Sequence, residues 1–101
     1  MKDEELTQVH HVAINVSNLA AAIKWYQTSF NCRLIHQEPR QAILQFANVK
    51  LALLLPSQEQ PHVAFVKADA ANFGELFPQP GDIQSTCLAD PTGNLVELVA
   101  T

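Results

Sequence analysis

His11-Val12-Ala13-Ile14 returns as His62-Val63-Ala64-Phe65 at a constant offset, with no gap. Carried further, the same offset sets Asn18 over Asp69, Ala20 over Ala71, Lys24 over Glu75 and Tyr26 over Phe77. Strand and helix characters thus recur in the same order, as expected of two tandem copies of one unit. A histidine at the same place in both copies is the part of the repeat that bears on chemistry.

Around the first copy, Val9 to Val16 is apolar enough for a strand. Its alternation puts His11, Ala13 and Asn15 on one face and His10, Val12, Ile14 and Val16 on the other. Ser17-Asn18 supplies N-cap chemistry, and Leu19, Ile23, Tyr26 and Phe30 form one stripe of an amphipathic helix that Asn31 would stop. Val12, Ile14 and Val16 are expected to pack on that stripe, and Trp25 reads as core and edge packing beside Tyr26. Three strands follow, Arg33 to Gln37, Ala42 to Phe46 and Val49 to Leu55, with Pro39 and Asn48 at the turns. The last is nearly all apolar, which predicts burial on both sides.

Pro56-Ser57-Gln58-Glu59-Gln60-Pro61 reads as a joint, so residues 9–55 form the first module, 56–61 a linker and 62–101 the second, within one domain. In the second, His62, Ala64 and Val66 share a face and Val63 and Phe65 take the other. Asp69 would cap a shorter helix with Phe73, Leu76 and Phe77 as its stripe, ended by Pro78 and Pro80-Gly81. Two strands fit in the remainder, Ile83 to Ala89 and Leu95 to Ala100, joined at Asp90-Pro91-Thr92-Gly93. The second module is therefore expected to be one strand short.

Bulk properties exclude several classes. A net charge of −4 with only six Lys and Arg, none clustered, offers no footprint for nucleic acid or anionic membranes. Met1-Lys2-Asp3-Glu4-Glu5 is unlike a secretory signal, and no apolar run approaches the roughly 18 residues of a membrane span, so the expected location is cytoplasmic. Cys32 and Cys87 read as buried thiols in a reducing compartment rather than a disulfide. At 101 residues, dimerisation would add useful stability.

Glu97 is the one charged side chain in the Leu95 to Ala100 run, and a carboxylate on a central strand needs a partner. His11 and His62 open equivalent strands on equivalent faces, so modules paired about a pseudo-twofold axis would bring the two imidazoles toward one centre, with Glu97 completing the set. Two neutral imidazoles and one carboxylate suit a divalent ion such as iron(II) or manganese(II), with nickel and zinc as further candidates. His10 points to the opposite face from His11, and His36, close to Glu38, reads as an ordinary exposed residue.

The runs His11-Val12-Ala13-Ile14-Asn15-Val16-Ser17-Asn18-Leu19, with Ala22 and Trp25-Tyr26, and Asp90-Pro91-Thr92-Gly93-Asn94-Leu95-Val96-Glu97-Leu98 resemble the opening and closing segments of the vicinal oxygen chelate superfamily. That superfamily includes glyoxalase I, methylmalonyl-CoA epimerase, extradiol dioxygenases, fosfomycin resistance enzymes and bleomycin-binding proteins. The resemblance implies an α+β fold of two tandem βαβββ modules, the second shortened, forming a cup-shaped mixed sheet around a metal. It implies His11, His62 and Glu97 as metal ligands, a small-molecule substrate and a homodimer. The family's fourth ligand position falls among Leu51, Ala52 and Leu53, none of which binds a metal, and this departure leans away from the four-ligand glyoxalase I and epimerase toward the three-ligand branches. The leading expectation is a small metal-dependent enzyme, dioxygenase-like or glyoxalase-like. The alternatives are a metal-free small-molecule binding protein of the bleomycin-resistance type, its cleft lined by Leu51, Leu53 and Trp25, and a degenerate non-catalytic module.

Overall fold

The computed structural model describes residues 6–57 and 59–100. The strands are β1 (Val9–Asn15), β2 (Arg33–Glu38), β3 (Gln41–Gln45), β4 (Lys50–Leu54), β5 (His62–Val66), β6 (Phe77–Gln79), β7 (Ile83–Ala89) and β8 (Leu95–Val99). They join one helix, α1 (Leu19–Ser29), and a 3-10 turn at Ala70–Asn72. The fold is α+β, with mixed-sheet strands ordered β2-β3-β4-β1 in the first half of the chain and β5-β8-β7-β6 in the second. Two compact units divide the chain, residues 11–62 and residues 6–10 with 63–100.

In the first unit β4 lies parallel to β1, and antiparallel β3 and β2 follow. Pairing of His11 with Lys50, Ala13 with Ala52 and Asn15 with Leu54 fixes which residues share a face. The opposite face is covered by α1. Asn18 caps the helix by accepting from the Ala21 amide at 3.0 Å, and Leu19 and Ile23 pack on Ala42, Leu44 and Leu53, with Ile14 and Val16 at the margin. Leu44 and Leu53 are wholly buried, each stabilising the unit by about 1.5–3 kcal/mol. Burial of Ala52, Leu53 and Leu54 in succession shows β4 covered on both faces, as its unbroken apolar run predicts.

Two expectations change here. The helix closes at Phe30, whose amide bonds to the Tyr26 carbonyl at 2.9 Å, one residue before Asn31. Trp25 is 57% exposed instead of packed, because it stands about 100° around the helix from the apolar stripe. Its ring meets Tyr26 and Phe30 edge-on, with centroids 4.9 and 5.9 Å away.

The second unit repeats the parallel pair, β5 with β8, followed by antiparallel β7 and β6. Its backing is much thinner. The helix expected after Asp69 is only the Ala70–Asn72 turn; Asp69 makes no side-chain cap, and Phe73 and Phe77 are half exposed. Fewer than two turns do not sustain an α-helix without strong packing. A Cβ placed on Gly74 would lie 2.5 Å from Thr86 Oγ1, so only glycine allows this close an approach to β7. The strand expected to be missing is present as β6, three residues long and last in its half of the sheet, where Pro78 is tolerated. The second module is shortened in its elements, not in their number.

Cys32 is half-buried, with its thiol facing the Tyr26 carbonyl at 3.7 Å, whereas Cys87 is exposed rather than buried. Among the described residues no helix is long and apolar enough to cross a membrane.

Candidate metal centre

The first unit holds two of the three predicted ligands. His11 is half-buried on the β1 face shared with Ala13 and Asn15; His62, the first residue of β5, is buried. Their rings meet edge to face at 76°, with centroids 5.5 Å apart. The Gln60 carbonyl lies 2.7 Å from His62 Nδ1. A carbonyl only accepts, so Nδ1 carries the proton and Nε2 is the nitrogen that bears the lone pair.

The third predicted ligand is on β8 in the second unit. Glu97 is 3% exposed, and Ser85, itself buried on β7, donates its hydroxyl to Oε2 at 2.6 Å. Pairing of Glu97 with Ala64 and with Cys87 sets the face it occupies. A carboxylate this deep is costly in isolation, and two imidazole nitrogens with one carboxylate oxygen are a donor set that a divalent transition metal accepts. The residues therefore fit the ion.

Register also resolves the fourth position. Ala13, two residues after His11, pairs with Ala52; Ala64, two residues after His62, pairs with Glu97. Ala52 is thus the counterpart of Glu97, while Leu51 and Leu53 turn to the α1 face. Where the second unit has a carboxylate, the first has a methyl group.

His36 is more engaged than its position suggests. Its Nε2 lies 2.5 Å from Glu38 Oε2, which also accepts from Gln41 Nε2 at 3.0 Å. These bonds, the His36 one foremost, hold the Glu38 carboxyl below its usual range. Sequence reasoning missed Ser85 and the Gln60 carbonyl. A serine in a strand carries no distinguishing signal, and a backbone acceptor carries none at all.

The sequence model of the Glyoxalase/Bleomycin resistance protein/Dioxygenase superfamily matches residues 8–89, and the chain belongs to that superfamily. Among solved structures it is similar to a methylmalonyl-CoA epimerase in complex with methylmalonyl-CoA and NH4+, at 23% identity over 94% of each chain with a TM-score of 0.75. A Streptomyces coelicolor methylmalonyl-CoA epimerase variant in complex with 2-nitronate-propionyl-CoA aligns at 24% identity, over 94% of this chain and 97% of that one, with a TM-score of 0.73. A superfamily member from Vibrio splendidus aligns at 10% identity, over 93% and 98%, with a TM-score of 0.70. At such identities the likeness defines the fold. No curated protein sequence matches the chain.

Proposed function

We propose that this chain is a small metal-dependent enzyme of the vicinal oxygen chelate type, in which His11, His62 and Glu97 hold one divalent ion and a small-molecule substrate reaches it through two adjacent oxygens. The observation that supports this most is the buried Glu97 carboxylate on an otherwise apolar strand, together with the edge-to-face pair of His11 and His62 rings in the first unit. When bound, such an ion supplies Lewis-acid polarisation of substrate oxygens. The chain's own residues do the rest. Gln60 holds the tautomer of His62, and Ser85 holds the carboxylate of Glu97. Three protein ligands leave positions for two substrate oxygens, which favours three-ligand, dioxygenase-like chemistry over the four-ligand glyoxalase type. Residues 9–55 and 62–101 are read as the two modules that carry these groups.

Metal titration with elemental analysis tests the reading. Wild type should take up about one iron, manganese, nickel or zinc ion per chain, and Glu97→Gln and His62→Ala should each lose more than about 100-fold in affinity, more than loss of an outer-sphere partner costs. Wild type without a specific ion, or a Glu97→Gln variant that binds as well, would overturn it and leave a metal-free binding protein as the better reading.

A further inference from the structure

The face of the first unit that carries His11 can be read as rows across β1, β4, β3 and β2. One row is His11, Lys50, Gln45 and Arg33; the next is Ala13, Ala52, Ile43 and His36; the third is Asn15, Leu54, Gln41 and Glu38. Lys50 is the immediate neighbour of His11, one strand spacing of about 4.8 Å away, with its side chain on the same face. It is the one charged residue of an otherwise apolar strand, the same signal that singles out Glu97 in β8.

Lys50 is half-buried and takes part in no ion pair among the described residues. The carboxylate on this face of the unit is Glu38, two rows away and already engaged by His36 and Gln41. An ammonium held next to a metal ligand repels the incoming cation, and the repulsion is relieved only when an anion sits between them. The charges make the same point. A divalent ion with Glu97 and two neutral imidazoles carries one net positive charge, and Lys50 raises it to two.

Resting on the metal-site reading above, we infer that Lys50 is an anion-binding residue of that site and that the substrate is a 2-oxo or 2-hydroxy acid, not a neutral diol or carbonyl compound. Such an acid offers two adjacent oxygens to the metal, one of them from its carboxylate. The second carboxylate oxygen remains for the Lys50 ammonium as a charge-assisted hydrogen bond.

The test uses manganese-loaded protein and two probes with the same pair of oxygens, pyruvate and its neutral amide, measured by calorimetry and by the manganese EPR spectrum. Lys50→Met should weaken pyruvate binding by about 10- to 100-fold, the worth of one hydrogen bond to a charged group, while pyruvamide changes less than about twofold. Lys50→Arg should keep most of the preference for pyruvate. Manganese itself should bind Lys50→Met as well as wild type or slightly more tightly, since a nearby cation is gone. If Lys50→Met fails to fold, Lys50→Gln replaces it in the comparison. Equal loss of both probes, or pyruvate binding indifferent to residue 50, would overturn the role of Lys50 while leaving the metal site standing. Wild type that takes up no manganese or other divalent ion would overturn the site and this inference together.

Discussion

The parallel pairs β1/β4 and β5/β8 are built alike and furnished differently. Each carries a histidine near the start of its first strand, and each places a definable residue beside the position two further on: Ala52 in one pair, Glu97 in the other. Their backing differs as well, an 11-residue helix behind the first pair and a three-residue turn behind the second. The pair with the thick hydrophobic layer has the methyl group, and the pair with the thin one has the carboxylate, held by the Ser85 hydroxyl. The same strand pairing thus occurs twice, while the residue at the paired position decides which half carries a charge and which a methyl group.

The strongest way to break this comparison is to move the carboxylate. Glu97→Ala should lower metal affinity more than about 100-fold, a loss of roughly 3 kcal/mol. Adding Ala52→Glu to that variant should recover at least about tenfold if the two positions are counterparts. Calorimetric metal titration of the single and double variants decides it, and a double variant no better than Glu97→Ala would show that register equivalence does not extend to ligation.

A second contrast concerns stability. Leu44 is wholly buried beneath α1, whereas Leu98, on the face of β8 that also carries the Thr86 pairing, has the thinner cover. Leu44→Ala should fall toward the upper end of the about 2–5 kcal/mol range for such truncations and Leu98→Ala toward the lower end. Denaturant unfolding measures both, and equal losses would mean that the short turn backs its strands as well as the helix does.

Gly74→Ala sharpens the same point from the opposite direction. Its new Cβ would meet Thr86 Oγ1, attached close to the β7 backbone and unable to swing far, so a cost of about 1–3 kcal/mol is expected from overpacking. Pairing it with Thr86→Ala should return most of that loss in a double-mutant cycle. Failure of the second change to compensate would place the strain elsewhere.

Much of this was legible in the residues because β1 and α1 obey clean periods of 2 and 3.6, and because Glu97 interrupts an apolar strand. The limits were equally physical. β4 has no alternation to read, so the face of Ala52 emerged only from its pairing with β1. Phe73, Leu76 and Phe77 mimic a helical stripe, but a chain interrupted by Gly74 and Pro78 is too short to nucleate a helix, and the last of the three starts an outer strand instead. Lys50 carries the same signal as Glu97, but it stands at the edge of an apolar run that reads only as core.

The smallest effect separates the two strand-connecting turns. Between β3 and β4 the Phe46 amide bonds to the Val49 carbonyl at 2.9 Å, and the neutral Gln45 side chain donates to the Phe46 carbonyl at 2.6 Å. Between β7 and β8 a carboxylate organises the turn: Asp90 accepts from the Thr92 and Asn94 amides, both at 2.9 Å, and from the Asn94 side chain at 2.8 Å, while Gly93 takes up the left-handed φ of +95°. These bonds, with that of the Asn94 side chain largest, lower the Asp90 carboxyl from 3.8 to about 2. A depressed acid stabilises the folded state fully above its unfolded value and ceases to do so as pH falls through the folded one, so the contribution should fade between about pH 4 and pH 2. The Thr92 and Asn94 amide resonances should titrate with a midpoint near pH 2 while the Phe46 amide does not, and Asp90→Ala should abolish the two titrations. Titration of Thr92 and Asn94 near pH 4 would show instead that the carboxylate is solvated and does not organise the β7–β8 turn.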